Sequence, residues 1–373
     1  MSKNDFPIKG TDYKNSNGNY LNYEGQLSMG YKFSNHFNVK YYNVYSFADR
    51  FLSGELPNPT TANDKYEDLL KRDLVKITYQ KNKVQVESKL AYLHQKFTFF
   101  DDKNGDPLSF GISTRYFGDI HLDYSIFTGA TLSGRVKYES IFVETSQIAR
   151  KEITAVSQSL IFNHFVNRLL SYNIKVRKDY NSDFEVPFTF ASGFKFKPLQ
   201  HFFVRANISK NFRVPTFNDL FWPNQGNLNL IPETSLQGEI GLGYQNKKFL
   251  VDVAYFNINL KNRITWLPGG DSSRPSIWVP VNLEETKNTG LEVLSKFVSD
   301  FFDNPLTINL NYTHTNAKNK ATNKFLPFVP KQVINTSISY SLKKVSFFLQ
   351  GVYNSSIFTT QSNSPDFTNN AFY

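Results

Sequence analysis

Hydrophobic and polar positions alternate with a period of two along almost the whole chain. In Leu21–Phe33 the odd positions are Leu21, Tyr23, Gly25, Leu27, Met29, Tyr31 and Phe33, and the even ones Asn22, Glu24, Gln26, Ser28, Gly30 and Lys32. Successive side chains of a strand point to opposite faces, so this segment reads as a strand with one apolar, aromatic face and one polar face. Leu306, Ile308, Leu310 and Tyr312 stand in the same way against Thr307, Asn309, Asn311 and Thr313. Phe202, Val204, Ala206 and Ile208 stand against Arg205, Asn207 and Ser209, and Phe188, Phe190, Phe194 and Phe196 against Thr189, Lys195 and Lys197. The pattern predicts about sixteen strands, near 20–33, 36–48, 68–80, 83–98, 113–126, 130–143, 151–163, 168–180, 187–197, 201–211, 233–245, 248–264, 284–298, 305–317, 331–342 and 345–356. Most are about ten to fifteen residues long, where soluble sheets favour ~5–6 and a tilted membrane strand needs about 9–11.

The connections alternate too. Short turns such as Ser34-Asn35, Lys81-Asn82, Thr128-Gly129, Leu199-Gln200, Asn246-Lys247 and Lys343-Lys344 follow the odd strands. Long polar loops rich in Pro, Gly and Asn follow the even ones, at 49–67, 99–112, 144–150, 181–186, 212–232, 265–283 and 318–330. Outer-membrane barrels are built this way, with short periplasmic turns and longer extracellular loops. A propeller or solenoid would show a fixed internal repeat, and none is present. A sandwich has no reason to gather its long loops at one end. The expected fold is therefore all-β, a transmembrane antiparallel barrel with Tyr31, Ile308, Leu310, Tyr312 and Phe194 facing lipid. Lys32, Arg205, Asn309 and Asn311 are expected on the inner face.

Composition supports that reading. Aromatic residues make up 16 %, with 36 Phe and 21 Tyr, while the mean hydropathy is −0.42. A barrel combines the two, because half its strand residues face lipid or the aromatic girdles and half face a wet interior. No stretch approaches the ~20 apolar residues of a spanning helix. The net charge of +10 is spread through strands and turns instead of forming one basic stretch, which argues against nucleic acid as a partner. There are no cysteines, so disulfides and thiolate metal sites are excluded. The opening residues MSKNDFPIKG carry no apolar core of a signal peptide. The closing FTTQSNSPDFTNNAFY does not alternate, so Tyr373 reads as the start of a strand. A barrel in lipid must close, and the chain is accordingly expected to be an internal fragment of a larger one.

Between the tenth and eleventh predicted strands, residues 209–233 read SKNFRVPTFNDLFWPNQGNLNLIPE, and an alternating strand follows. Two further segments, FNINLKNRI at 256–264 and NTGLEV at 288–293, follow in order. Together these resemble a hallmark region of TonB-dependent outer-membrane receptors, and the FNDLFWP form is most similar to vitamin B12 (cobalamin) and siderophore receptors. The motif positions are Asn211, Phe212, Arg213, Pro215, Thr216, Phe217, Asn218, Asp219, Leu220, Pro232 and Glu233.

The resemblance implies the barrel domain, spanning 1–373, of a receptor with about twenty-two strands and a plugged lumen. Signal, plug, first strands and last strands would then lie outside it. It further implies an integral protein of a Gram-negative cell outer membrane that binds a scarce small-molecule nutrient, cobalamin or an iron chelate. Its other partners would be the TonB complex, through the missing plug, and the surrounding membrane lipid and lipopolysaccharide.

The residues of 209–233 support two readings. In the structural one, Pro215 and Pro223 stop a strand while Phe212, Phe217, Phe221 and Trp222 cap the rim. In the functional one, Phe217, Asn218, Phe221 and Trp222, with the only other tryptophans, Trp266 and Trp278, form an extracellular ligand surface.

No catalytic constellation or cofactor is expected. The histidines His36, His94, His121, His164, His201 and His314 are scattered without metal-ligand spacing. Asp101, Asp102 and Asp106 share a loop that reads as a solvated acidic turn more readily than as a calcium site. Two other functions stay open: a passive porin-type channel, favoured by the polar inner face, and an outer-membrane adhesin or structural barrel.

Overall fold

The computed structural model describes residues 5–54, 61–268, 277–283 and 285–369, so Tyr373 lies outside the described residues. The alternating segments become long antiparallel strands. The first half of the chain forms β1 (Tyr20–Lys32), β2 (Phe37–Phe51), β3 (Lys65–Lys81), β4 (Val84–Phe100), β5 (Ser109–Phe127), β6 (Ala130–Thr145), β7 (Lys151–Phe165) and β8 (Leu170–Asn181). Then come β9 (Thr189–Phe196), β10 (Phe202–Arg213), the short helix α1 (Phe217–Phe221), β11 (Glu233–Gln245) and β12 (Phe249–Lys261). The last part holds β13 (Ile264–Pro268), β14 (Trp278–Asn282), β15 (Thr286–Phe301), β16 (Asn304–Asn319), β17 (Gln332–Leu342), β18 (Val345–Asn354), β19 (Ile357–Phe358) and β20 (Thr368–Asn369).

Sixteen strands make one meander in which each pairs with its neighbours in sequence; β13–β14 and β19–β20 are separate hairpins. The sixteen correspond one for one to the alternating segments, shifted at their ends by a few residues. Strands β1 and β18 are the two edges of the sheet and do not pair with each other.

Register settles the faces, because directly opposed residues of an antiparallel pair share a side. Phe194 lies opposite Ala206, Ala206 opposite Ile240, Ile240 opposite Tyr255, and Tyr255 opposite Leu291. The same side carries Ile308, Leu310 and Tyr312 on β16 and Tyr31 on β1, as the alternation predicts. It is apolar yet bare: Ile240 is 55 % exposed and Tyr255 50 %. In water such a face is a liability; in a bilayer it is the surface that lipid covers.

The opposite face holds Lys32, Arg205, Asn309 and Asn311, and its charges pair both across strands and along one. Arg135 reaches Asp119 at 2.7 Å, Arg177 reaches Asp179 at 2.5 Å, and Arg205 reaches both Asp252, at 2.8 Å, and Glu239. Asp119 keeps 2 % of its side-chain exposure, and a buried carboxylate persists only with such a partner.

The turns and loops sort by end. At the short-turn end Phe302 and Asp303 both take positive φ, 51° and 61°, the pair of conformations a two-residue type I′ hairpin needs. Gly129 has φ 85°, and a Cβ there would stand 2.3 Å from the carbonyl oxygen of Phe165, so only glycine serves.

At the long-loop end two expectations need correction. The strand expected over 248–264 stops at Lys261, because Asn262 turns the chain into the left-handed region with φ 56°. The long loops at 212–232 and 265–283 are not structureless: the first contains α1 and the second the β13–β14 hairpin. Residue 284, where a strand was expected to begin, lies outside the described residues, and β15 starts at Thr286.

Candidate functional site

Residues 209–233 build a braced rim at the long-loop end. Arg213, the last residue of β10, lies directly opposite Glu233, the first of β11. Its Nε and Nη2 donate to the two carboxylate oxygens of Glu233 at 2.7 and 2.9 Å, a bidentate fork. Glu233 Oε1 also accepts the backbone N–H of Ile264 at 2.6 Å, which ties the β13–β14 hairpin to the strand ends.

Pro215, fully buried, ends β10 and leads into α1. Five residues cannot sustain a helix by propensity; capping and packing hold this one. Thr216 Oγ1 accepts the N–H of Asp219 at 3.2 Å while Asp219 Oδ2 accepts the N–H of Thr216 at 2.9 Å, a reciprocal capping box. The other oxygen, Asp219 Oδ1, accepts the indole N–H of Trp266 at 2.9 Å. Asp219 is thereby buried with its acceptors occupied.

Behind the helix Leu220, Leu230 and Ile264 form a small core against Phe184 and Phe221. Gly226 lies so close beneath α1 that a Cβ would meet the carbonyl oxygen of Leu220 at 2.4 Å. Two asparagines stitch the loops together. Asn227 donates its backbone N–H to Asp219 O at 2.8 Å and its side chain to Pro280 O at 2.9 Å. Asn282 accepts the N–H of Ile231 at 2.9 Å and donates to Ile231 O and Asn262 O at 3.0 and 2.7 Å.

Electrostatics follow the burial. Burial pushes the Arg263 guanidinium below its ordinary value, against the pull of Glu233, and Arg213 nearby adds to the depression. Further along the rim Glu285 is held at about 2 by Lys320, whose Nζ lies 2.6 Å away, and by Lys261 at 2.9 Å.

The predicted positions divide into two groups. Arg213, Pro215, Thr216, Asp219, Leu220 and Glu233 are framework, spending their polar atoms or apolar surface inside the brace. Trp266 joins them, half-buried, by giving its N–H to Asp219. Phe217 and Phe221 stack obliquely with ring centres 6.2 Å apart, and Lys151 Nζ lies 5.0 Å over the Phe221 ring. Phe212 and Pro232 are half-buried.

Asn211, Asn218, Trp222 and Trp278 are exposed, Asn211 on the inner face with Arg205 and the two tryptophans at 42 % and 55 %. Sequence reasoning missed Asn227, Leu230, Arg263, Ile264 and Asn282, because each acts through a partner distant in sequence. The acidic loop is a closed turn: Asp102 Oδ1 accepts from Asn63 at 2.6 Å and from the N–H of Asn104 at 2.9 Å. Among the described residues no three His, Cys, Asp or Glu side chains gather to hold a metal.

A long-stranded antiparallel meander with one bare apolar face, one ionic face and a capped loop rim defines the wall of a transmembrane β-barrel. The chain belongs to the TonB dependent receptor-like, beta-barrel family, whose model matches residues 2–373.

Among curated proteins it is similar to the vitamin B12 transporter BtuB of Photobacterium profundum, 26 % identical over 247 residues. That match covers 65 % of this chain and 39 % of the transporter. BtuB of Vibrio vulnificus (strain YJ016) is 31 % identical over 134 residues, 36 % of this chain and 21 % of that one. The matched stretches thus span well under half of these relatives.

Among solved structures, the siderophore receptor PirA from Acinetobacter baumannii superposes with a TM-score of 0.74 at 13 % identity, covering 96 % of this chain and 64 % of that one. A mutant of the ferric enterobactin receptor PfeA from Pseudomonas aeruginosa gives 0.75 at 12 % identity, covering 99 % and 63 %. At such identities the likeness speaks for the fold.

Proposed function

We propose that residues 1–373 are the barrel domain, as one unit, of an integral outer-membrane receptor that takes up a scarce nutrient of the vitamin B12 or ferric siderophore class. The observation that carries this reading is the braced rim. The capping box, the Arg213–Glu233 fork and the Trp266–Asp219 bond fix α1 and the β13–β14 hairpin. Trp222 and Trp278 remain free to meet a ligand from outside. Rigid aromatic anchors lose little entropy on binding, and a preformed rim avoids the cost of ordering loops. The BtuB relatives and the siderophore-receptor neighbours support the two nutrient classes. In this reading uptake is energised by the TonB complex acting on receptor segments that are not among these residues, and the barrel itself performs no catalysis.

Equilibrium binding of the full-length protein to cyanocobalamin and to ferric siderophores tests it. Saturable binding of one class, weakened about tenfold or more by Trp222→Ala with Trp278→Ala, is the expected result. Conductance in planar bilayers with no saturable ligand would favour a passive channel instead.

A further inference from the structure

Charge is distributed unevenly around the inner face. Register carries that face from Lys32 on β1 through Glu87, Arg135 and Arg177 to Arg205 on β10 and Glu292 on β15. Each strand from β1 to β12, and β15 as well, places at least one charged side chain there. On β16, β17 and β18 the charges stop. Their inner positions are the odd residues of 305–319 and 333–341 and the even residues of 346–354, and none is Asp, Glu, Lys, Arg or His.

Amides and hydroxyls take the place of charge, among them Asn309, Asn311 and Thr313 on β16, Asn335 and Ser337 on β17, and Gln350 on β18. Asn309 donates to Ser337 Oγ at 3.0 Å, whereas the side chains of Asn311, Thr313, Asn335 and Gln350 have no hydrogen-bond partner among the described residues. Strand β16 is 16 residues long. At ~3.3 Å per residue the uncharged strip extends on the order of 50 Å, more than the ~30 Å thickness of a hydrocarbon core.

The two sectors hold a passing solute differently. In the charged sector Arg135 and Arg205 are engaged with carboxylates, and a hydrogen bond to an ionised group is roughly twice as strong as a neutral one. A solute caught there leaves slowly. Free amides and hydroxyls offer weaker bonds that exchange readily with water, and passage needs contacts that are individually weak and repeated along the way.

We infer that the inner face of β16–β18 is the track along which an uncharged, amide-bearing nutrient moves from the rim toward the short turns. The track deepens the uptake reading proposed above and rests on it. Of the two nutrient classes named there, cobalamin fits it, because its edge is lined with carboxamides that can exchange hydrogen bonds with Asn311, Asn335 and Gln350 in turn.

Labelled cyanocobalamin and cells carrying the full-length protein test the track through two readouts, equilibrium binding without energy and the rate of energised uptake. Asn311→Asp, Asn335→Asp and Ser337→Asp are each expected to leave binding within about twofold while slowing uptake about tenfold. Lys at the same positions should slow it too, since a fixed charge of either sign creates a strong hydrogen-bonding stop. Asn311→Gln and Asn335→Gln should keep the parent rate. Asn163→Asp and Asn173→Asp, which alter inner-face amides of the charged sector, should change neither readout. Unchanged binding and heat-modifiable gel mobility identify folded variants. Parent-like uptake by the β16 and β17 Asp variants, equal slowing by Asp in both sectors, or slowing by one sign of charge only would each overturn the track. Absence of saturable cyanocobalamin binding by the parent protein would instead defeat the nutrient class on which it rests.

Discussion

Glu233 shows how much one side chain can determine at this rim. Its two oxygens accept from Arg213 and from the Ile264 backbone N–H, so strand ends and hairpin share one acceptor. Glu233→Gln keeps the shape but removes the charge and turns one acceptor into a donor facing donors. The expected cost is about 1–3 kcal/mol, read as faster amide hydrogen exchange at Ile264 with the global unfolding transition little changed. Equal exchange in the two proteins would mean that packing alone holds the hairpin.

Glu285 supplies a pH dependence of known sign. Its carboxyl is held at about 2, below its ordinary value of 4.5, by Lys320 first and by Lys261. A depressed carboxylate stabilises the fold above its unfolded pKa and loses that contribution as pH falls through the folded one. The Lys320–Glu285–Lys261 bridge should therefore loosen between about pH 4.5 and pH 2, and earlier in high salt, since the group is exposed. Amide exchange in the segments around Lys261 and Lys320 measures it, and Glu285→Gln should remove that pH step.

At the scale of elements, the strands were legible and the rim devices were not, for one physical reason. A strand twelve or more residues long repeats its period-two signal several times, and a slip of one residue would turn every apolar side chain inward. The residues Leu21–Phe33 therefore predict β1 without knowledge of β2. Helix α1 has five residues and no room for a period, and β13 and β14 have five each. What stabilises them is tertiary: Asp219 with Trp266, Asn282 with Ile231 and Asn262.

The Thr216-x-x-Asp219 spacing was the one local clue to α1, since a hydroxyl followed three residues later by a carboxylate is a helix-start pattern. Arg213, Asp219 and Glu233 spend their polar atoms within the rim, while Asn218, Trp222 and Trp278 are exposed. Thr216→Ala should cost about 1 kcal/mol at α1 by removing the cap. The check is hydrogen exchange at the Asp219 and Leu220 amides, with Thr216→Ser expected to restore protection. A cap that mattered only for its methyl group would show the reverse order, with Ser no better than Ala.

For the whole molecule the two faces of the wall obey opposite rules, and one pair of neighbouring residues can test both. Leu310 and Asn309 are adjacent on β16, yet register sends them to opposite sides. Leu310 lies opposite Ser295 and Thr336 on the face shared with Ile308 and Tyr312, whereas Asn309 lies opposite Lys296 and Ser337 and donates to Ser337 Oγ at 3.0 Å. A lipid-facing position near the bilayer midplane penalises a guanidinium by about 2–4 kcal/mol, because no water is there to solvate it. An inner-face position lies among charges and water, where Arg205 and Arg135 already find carboxylates. Leu310→Arg should therefore lower the unfolding free energy in liposomes by that amount, while Asn309→Arg should stay within about 0.5–1 kcal/mol of the parent. The contrast between the two is the informative quantity, since both place the same charge at the same height. If the two substitutions cost the same, Leu310 does not face lipid and the assignment of sides around the sheet fails with it.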